Sequence, residues 1–161
     1  SCMTWHGATR NQPPCKNFDN GTMDMLIARS GWSEAPPTIL IVEDDPAVRR
    51  SLLLLLQGRG FAAKAWPAAD PALAEAARAA PDCLIVDYRL ESGDGIAMLG
   101  ALRAQGWDGP AILISAYPSE ELSARALKAG FALVFEKPLR EHMLVDAVTR
   151  LTRSVTPSAN P

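Results

Sequence analysis

The 161-residue chain has no excess of basic charge: 16 Lys and Arg stand against 18 Asp and Glu, for a formal net charge of −2. A protein that grips nucleic acid chiefly through its phosphates carries a basic patch or stripe. None is visible here, so direct nucleic-acid binding by this chain is not expected. Apolar runs are short, and none approaches the roughly 20 residues needed to span a bilayer. The first residues lack the basic-then-apolar order of a signal peptide. No membrane partner is therefore expected, and a cytoplasmic location is. Cysteine is scarce, at three residues, and Cys2, Cys15 and Cys83 form no CxxC pair. An odd count favours a reducing compartment. Cys83 lies in an apolar run and reads as a small core residue, while a Cys2–Cys15 disulfide stays open. With 48% hydrophobic and 21% charged residues, the chain has enough apolar surface for one packed domain and too little length for two ordinary ones.

Two regions differ in pattern. Residues 1–37 hold Gly, Asn, Pro and Thr with Trp5, Phe18 and Trp32 at no clear period. Only Met23 to Arg29 reads as a short helix or docking segment, and Asn20-Gly21-Thr22 matches a glycosylation sequon. The region is expected to be an extension or linker, closed by Pro36-Pro37. From Thr38 onward, short β-rich runs alternate with helical stretches. Ile39 to Val42 stops at Glu43-Asp44-Asp45, and Ala47 to Arg59 follows with helical periodicity behind Pro46. Phe61 to Trp66 is a weaker strand, and Pro71 to Ala80 an alanine-rich helix. Cys83 to Val86 ends at Asp87, and the helix Ile96 to Gln105 follows a loop containing Gly93 and Gly95. Ala111 to Ile114 ends at Ser115, before a helix from Ser119 to Lys128. Leu133 to Phe135 is the last strand, ahead of Lys137-Pro138 and a final helix to about Arg153.

This is β-α repeated five times. Uninterrupted apolar strands between helices imply an α/β fold with a five-stranded parallel sheet covered on both faces. Right-handed crossovers make it doubly wound, with ligands beyond the carboxyl ends of the strands. The residues that end the strands then converge: Glu43 and Asp44 from the first, Asp87 from the third, Ser115 from the fourth and Lys137 from the fifth. Crowded carboxylates repel one another, so at least one pKa should rise. A hard divalent cation such as Mg²⁺ relieves the repulsion and accepts phosphate oxygens as further ligands. One carboxylate could then act as a nucleophile towards phosphorus, with a Lys and a hydroxyl offsetting charge on the transferring group. Singly, each acid or Ser reads better as a cap on the next helix. The constellation carries the inference.

Ile-Val-Glu43-Asp44-Asp45-Pro, Ile-Val-Asp87-Tyr-Arg-Leu, Gly93-Asp94-Gly95, Ile-Ser115-Ala and Glu136-Lys137-Pro138 together resemble the motifs of response-regulator receiver domains in two-component signalling. The resemblance runs from about Thr38 to Arg153, so residues 38–153 are expected to form a (βα)5 flavodoxin-like receiver domain, with residues 154–161 a tail. The resemblance implies that Asp87 accepts the phosphoryl group and that Asp44 binds Mg²⁺ directly. It implies that Glu43 acts through a metal-bound water and that the Arg89 carbonyl supplies a further metal oxygen. Ser115 would hydrogen-bond the phosphoryl group, Lys137 would pair with it, and Pro138 would follow a cis bond. The implied donor is a histidine kinase or histidine phosphotransfer protein. Self-phosphorylation and autodephosphorylation are the only turnover expected. Output would pass to an unidentified protein target through the fourth helix, fifth strand and fifth helix. Leu122, Ala126, Met143 and Val145 are candidates there, or alternatively core residues. The chain could also have been cut from a larger regulator or hybrid kinase.

Two departures from the family pattern stand out. Val134 occupies the position, three before the Lys, that usually holds Tyr or Phe. Phe135 is adjacent, but neighbouring strand residues point to opposite faces. The signal could instead pass through the loop after Ser115, through the helix from Ser119 or through Tyr117. Glu43 replaces the commoner Asp, a change that a water-mediated ligand absorbs. Arg89 and Tyr117 stand where, by resemblance, access of water to the acyl phosphate is tuned. Competing readings are a phosphorylation-independent receiver acting as a binding module and a Mg²⁺-dependent phosphohydrolase with an Asp nucleophile. The second typically wants D-x-D after the first strand, where this chain has Glu43-Asp44-Asp45.

Overall fold

The computed structural model describes residues 35–154. The expected Met23–Arg29 segment, the Cys2–Cys15 pairing and the Asn20 sequon lie outside them. Five parallel strands, β1 (Thr38–Val42), β2 (Ala62–Trp66), β3 (Cys83–Asp87), β4 (Ala111–Ser115) and β5 (Leu133–Glu136), alternate with five helices. These are α1 (Pro46–Gly58), α2 (Ala69–Arg78), α3 (Gly95–Ala104), α4 (Glu120–Ala129) and α5 (Glu141–Ser154). The sheet order is β2-β1-β3-β4-β5, so the winding direction reverses between β1 and β3, where a doubly wound sheet opens its ligand crevice.

The three central strands are buried at every position except Thr38. Side-chain alternation divides their residues between two faces. Leu40, Val42, Leu84, Val86 and Leu113 pack with Ala72, Met98, Leu102, Leu122 and Ala126 of α2, α3 and α4. Ile39, Ile41, Ile85, Ile112 and Ile114 pack with Leu52 and Leu56 of α1 and Leu144 and Val148 of α5. Because the side-chain period is two, a one-residue slip would exchange the two sets, and the register is Val42↔Val86 and Asp87↔Ile114. Cys83 is fully buried in the second cluster, and burial pushes its thiol up to about 12, so it is an inert core residue.

Local chemistry sets the helix ends. Asp45 caps α1, its Oδ1 accepting from Ala47 N at 2.8 Å and Val48 N at 3.2 Å, with Pro46 in the first turn, where no N–H is missed. Ser119 caps α4 by accepting from Leu122 N at 3.0 Å, and Gly130 closes that helix at φ +110°, a conformation costly for other residues. One expected helix moves: α2 begins at Ala69 rather than Pro71 and ends at Arg78 rather than Ala80. Pro71 is tolerated inside the first turn, and Ala68 offers no capping side chain to mark the start. Between β3 and α3 a two-residue antiparallel ladder pairs Arg89 with Asp94 and Leu90 with Gly93. No helix among the described residues is long and apolar enough to cross a membrane.

Candidate functional site

The topology delivers Glu43, Asp44, Asp87, Ser115 and Lys137 to one end of the sheet. Glu43 follows β1 and is 1% exposed, Asp87 closes β3 at 7% and Ser115 closes β4 at 3%. Lys137 follows β5, where its backbone N–H donates to the Ser115 carbonyl at 2.9 Å, and the Lys137–Pro138 bond is cis. Its ammonium lies 2.9 Å from Asp87 Oδ2 and 2.7 Å from Glu43 Oε2. One lysine therefore serves two buried carboxylates. Asp44 is half-buried beside them, and one oxygen from each of Glu43, Asp44 and Asp87 falls within 4.8 Å of the others.

The remaining lone pairs are only partly used. Glu43 Oε1 accepts from Asp45 N at 3.1 Å and Asp87 Oδ1 from Arg89 N at 3.3 Å. The buried Glu43 Oε2 meets Lys137 as an ion pair and receives no aligned hydrogen bond. Ser115 Oγ accepts from Tyr117 N at 3.1 Å. Burial pushes the Glu43 carboxyl up to about 7, Lys137 opposes the rise and Asp87 adds to it. The expected rise in a carboxylate pKa is thus present, but desolvation, not mutual repulsion, is its chief cause. For Lys137 burial pulls the ammonium down, yet Glu43 and Asp87 outweigh it and hold the group above the usual lysine value.

This donor set suits a hard cation. It offers carboxylate oxygens only, with no Cys or His among the three clustered acids, and its acids outnumber their one lysine. Such a set favours Mg²⁺, Ca²⁺ or Mn²⁺ over softer metals. Of the two histidines, His142 is exposed on α5 and His6 lies outside the described residues.

Two neighbours of the site, Gly95 and Arg49, give little signal in the sequence, whereas Arg89 and Tyr117 are already singled out there. Gly95 opens α3 where a Cβ would lie 2.7 Å from the Asp87 carbonyl oxygen and 2.9 Å from Leu113 Cδ1, so the helix can approach the acid only as glycine. Arg49, one turn into α1, donates through Nη1 to the carbonyls of Glu43 at 2.9 Å and Asp44 at 3.2 Å. The Arg89 guanidinium sits over the Tyr117 ring, 5.6 Å from its centroid, and Tyr117 is 75% exposed. Val134 packs on the leucine-rich face and Phe135 on the isoleucine-rich one, so Phe135 does not stand in for an aromatic at 134.

Residues 39–149 match the family described as the response regulator receiver domain. This chain belongs to that family. The receiver is 37% identical over 111 residues to the C4-dicarboxylate transport transcriptional regulatory protein DctR of Rhodobacter capsulatus, covering 68% of this chain and 56% of that protein. It is 31% identical over 113 residues to the transcriptional regulatory protein FixJ of Rhizobium meliloti, covering 70% and 55%. The crystal structure of FixJ-N superposes with a TM-score of 0.68 at 29% identity, covering 76% of this chain and 96% of that one. The receiver thus spans about half the length of these curated relatives.

Proposed function

We propose that this chain, as a receiver over residues 38–153, takes a phosphoryl group onto Asp87 from a histidine kinase or histidine phosphotransfer protein. The observation that carries this is the arrangement around Asp87. The acid is nearly buried, fixed through Lys137 at 2.9 Å, and adjoined by two further acids and a buried serine. An Asp87 carboxylate oxygen would attack phosphorus, forming the C–O–P bond of an acyl phosphate as the P–N bond to the donor imidazole breaks. The departing imidazole keeps the bonding pair and takes up a proton. Glu43, Asp44, Asp87 and the Arg89 carbonyl would hold Mg²⁺, which when bound supplies positive charge against the phosphoryl oxygens.

The chain's own residues do the rest. Lys137, already on Asp87, offers its ammonium to a phosphoryl oxygen, and the Ser115 hydroxyl lies at the neighbouring strand end to donate a hydrogen bond. Arg89 and Tyr117, stacked at the rim, set how readily water reaches the acyl phosphate. Output passes to a protein target through α4, β5 and α5. Leu127 at 58% and Met143 at 45% are the exposed large apolar residues described in those helices, whereas Leu122 and Ala126 are core. The site works in the cytoplasm, where such donors act.

Val134 supports a second reading, a receiver that binds its partner without phosphorylation, because it removes the usual aromatic at that position. Intact-mass analysis with Mg²⁺ and a small phosphodonor separates the two. One base-labile phosphoryl adduct, absent in Asp87→Asn, is expected. No adduct with any donor would leave the binding module as the better reading.

A further inference from the structure

The acid pair hangs on a loop of three residues, Glu43, Asp44 and Asp45, between β1 and α1. Two amides of that loop are secured: Glu43 N donates to the Trp66 carbonyl at 3.0 Å and Asp45 N to Glu43 Oε1 at 3.1 Å. Its carbonyls are a different matter. The Asp45 carbonyl enters the helix ladder by accepting from Arg49 N at 2.9 Å. Those of Glu43 and Asp44 precede the helix, and among the described residues their one hydrogen-bond donor is Arg49 Nη1.

We infer that Arg49 is a positioning residue for the metal-binding acids: by tying the Glu43 and Asp44 carbonyls to one nitrogen, it fixes how those two side chains present themselves to Asp87. The inference rests on the reading of the acids as a Mg²⁺ site. Unsatisfied carbonyls in a half-buried loop seek other partners, and rotating either peptide swings the attached carboxylate away from the cluster. Both contacts come from a single planar guanidinium on a long stem, whose N–H directions are fixed. Lysine keeps the charge and has three donors, but it reaches less far and its ammonium rotates freely. Arg50, the next residue on α1, is exposed and carries the same charge, which makes it a natural control.

The test uses the full chain with Mg²⁺ as the only added ligand, in Arg49→Met, Arg49→Lys and Arg50→Met. Outer partners of metal ligands are typically worth roughly 10- to 100-fold in affinity. Arg49→Met is therefore expected to raise the Mg²⁺ dissociation constant about 10-fold, Arg49→Lys less, and Arg50→Met not measurably. Saturating Mg²⁺ should restore the rate of adduct formation to within about 2-fold, since Arg49 touches no reacting atom. In metal-free protein the Asp45 amide should exchange faster in Arg49→Met than in the parent, with the core amides of β3 and β4 unchanged. Mg²⁺ affinity of Arg49→Met equal to the parent's, or an equal loss in Arg50→Met, would overturn the inference. Should the parent itself fail to bind Mg²⁺, the functional reading fails first. Asp45 exchange then decides Arg49 alone: faster exchange keeps its loop-positioning role, and unchanged exchange removes it.

Discussion

The two ends of the central strands carry similar polar groups and treat them in opposite ways. At the amino end, Asp82 and Thr38 satisfy each other: Asp82 Oδ2 accepts from Thr38 N at 2.8 Å and Oγ1 at 3.1 Å, and Asp82 N donates back to Thr38 O at 2.8 Å. Beside them Glu75 is shared between Lys64 at 2.6 Å and Arg78 at 2.8 Å, whose side chains are 59% and 67% exposed. Acids there are matched by cations or donors, and the cations are open to water even where the acid, as at Glu75, is 12% exposed. At the carboxyl end Glu43, Asp44 and Asp87 crowd round one lysine, and two of the three acids are almost fully buried. Exposed, matched charge contributes little to stability. Buried, surplus negative charge costs stability unless something positive arrives. The difference marks which end has a task beyond holding the fold.

The sharpest way to break the comparison is Lys137→Met. It strands Glu43 and Asp87 without their cation, and losing one partner of a buried pair typically costs about 3–5 kcal/mol. Urea denaturation of the metal-free protein at pH 8 should show a loss of that order, and added Mg²⁺ should recover part of it.

Next comes the pH dependence of Glu43. Its folded pKa, about 7, lies above the usual 4.5. Between those values the folded state keeps a proton that the unfolded chain has lost, so stability falls as pH rises through the window. A tenfold difference in proton affinity is worth about 1.4 kcal/mol. The metal-free parent should therefore lose on the order of 3 kcal/mol between pH 4.5 and 7 from this group. Glu43→Gln should remove that slope, and a slope unchanged in the variant would assign it elsewhere.

The amino end should respond weakly. Asp82→Ala removes exposed hydrogen bonds and is expected to cost about 1 kcal/mol in the same denaturation assay. Glu75→Gln should leave the midpoint almost unchanged, because its partners are solvated. An effect there as large as that of Lys137→Met would erase the distinction between the two ends.

Most of the fold is legible in the sequence, for identifiable reasons. Continuous runs such as Ile39–Val42 and Cys83–Val86 give strands covered on both faces, and punctuation by Gly60, Pro81 and Gly130 separates the units. Asp45 and Ser119 announce their helices through capping chemistry. Ala68 does not, and α2 starts two residues before its expected position. The ladder of Arg89–Leu90 with Gly93–Asp94 is too short to show a period. The strand-end residues of the site can be named in advance because parallel topology sends every strand terminus to one edge. Arg49 cannot be singled out, since an arginine on a helix usually reads as solvated surface and its carbonyl partners appear only once the loop has turned. Gly95 looks like loop punctuation, whereas its lack of a side chain serves the approach of α3 to Asp87. The cause of the raised Glu43 pKa is likewise hidden, because burial is a property of packing.

The central claim, that the surplus of acid at the carboxyl edge is built for a cation, is tested most directly by the urea midpoint of the full chain at pH 8. It is measured against Mg²⁺ concentration at constant ionic strength. A ligand that binds only the folded state stabilises it progressively above its dissociation constant. The expected result is a midpoint that climbs with Mg²⁺ in the parent and climbs much less in Asp87→Asn. A midpoint indifferent to Mg²⁺ in the parent would contradict it.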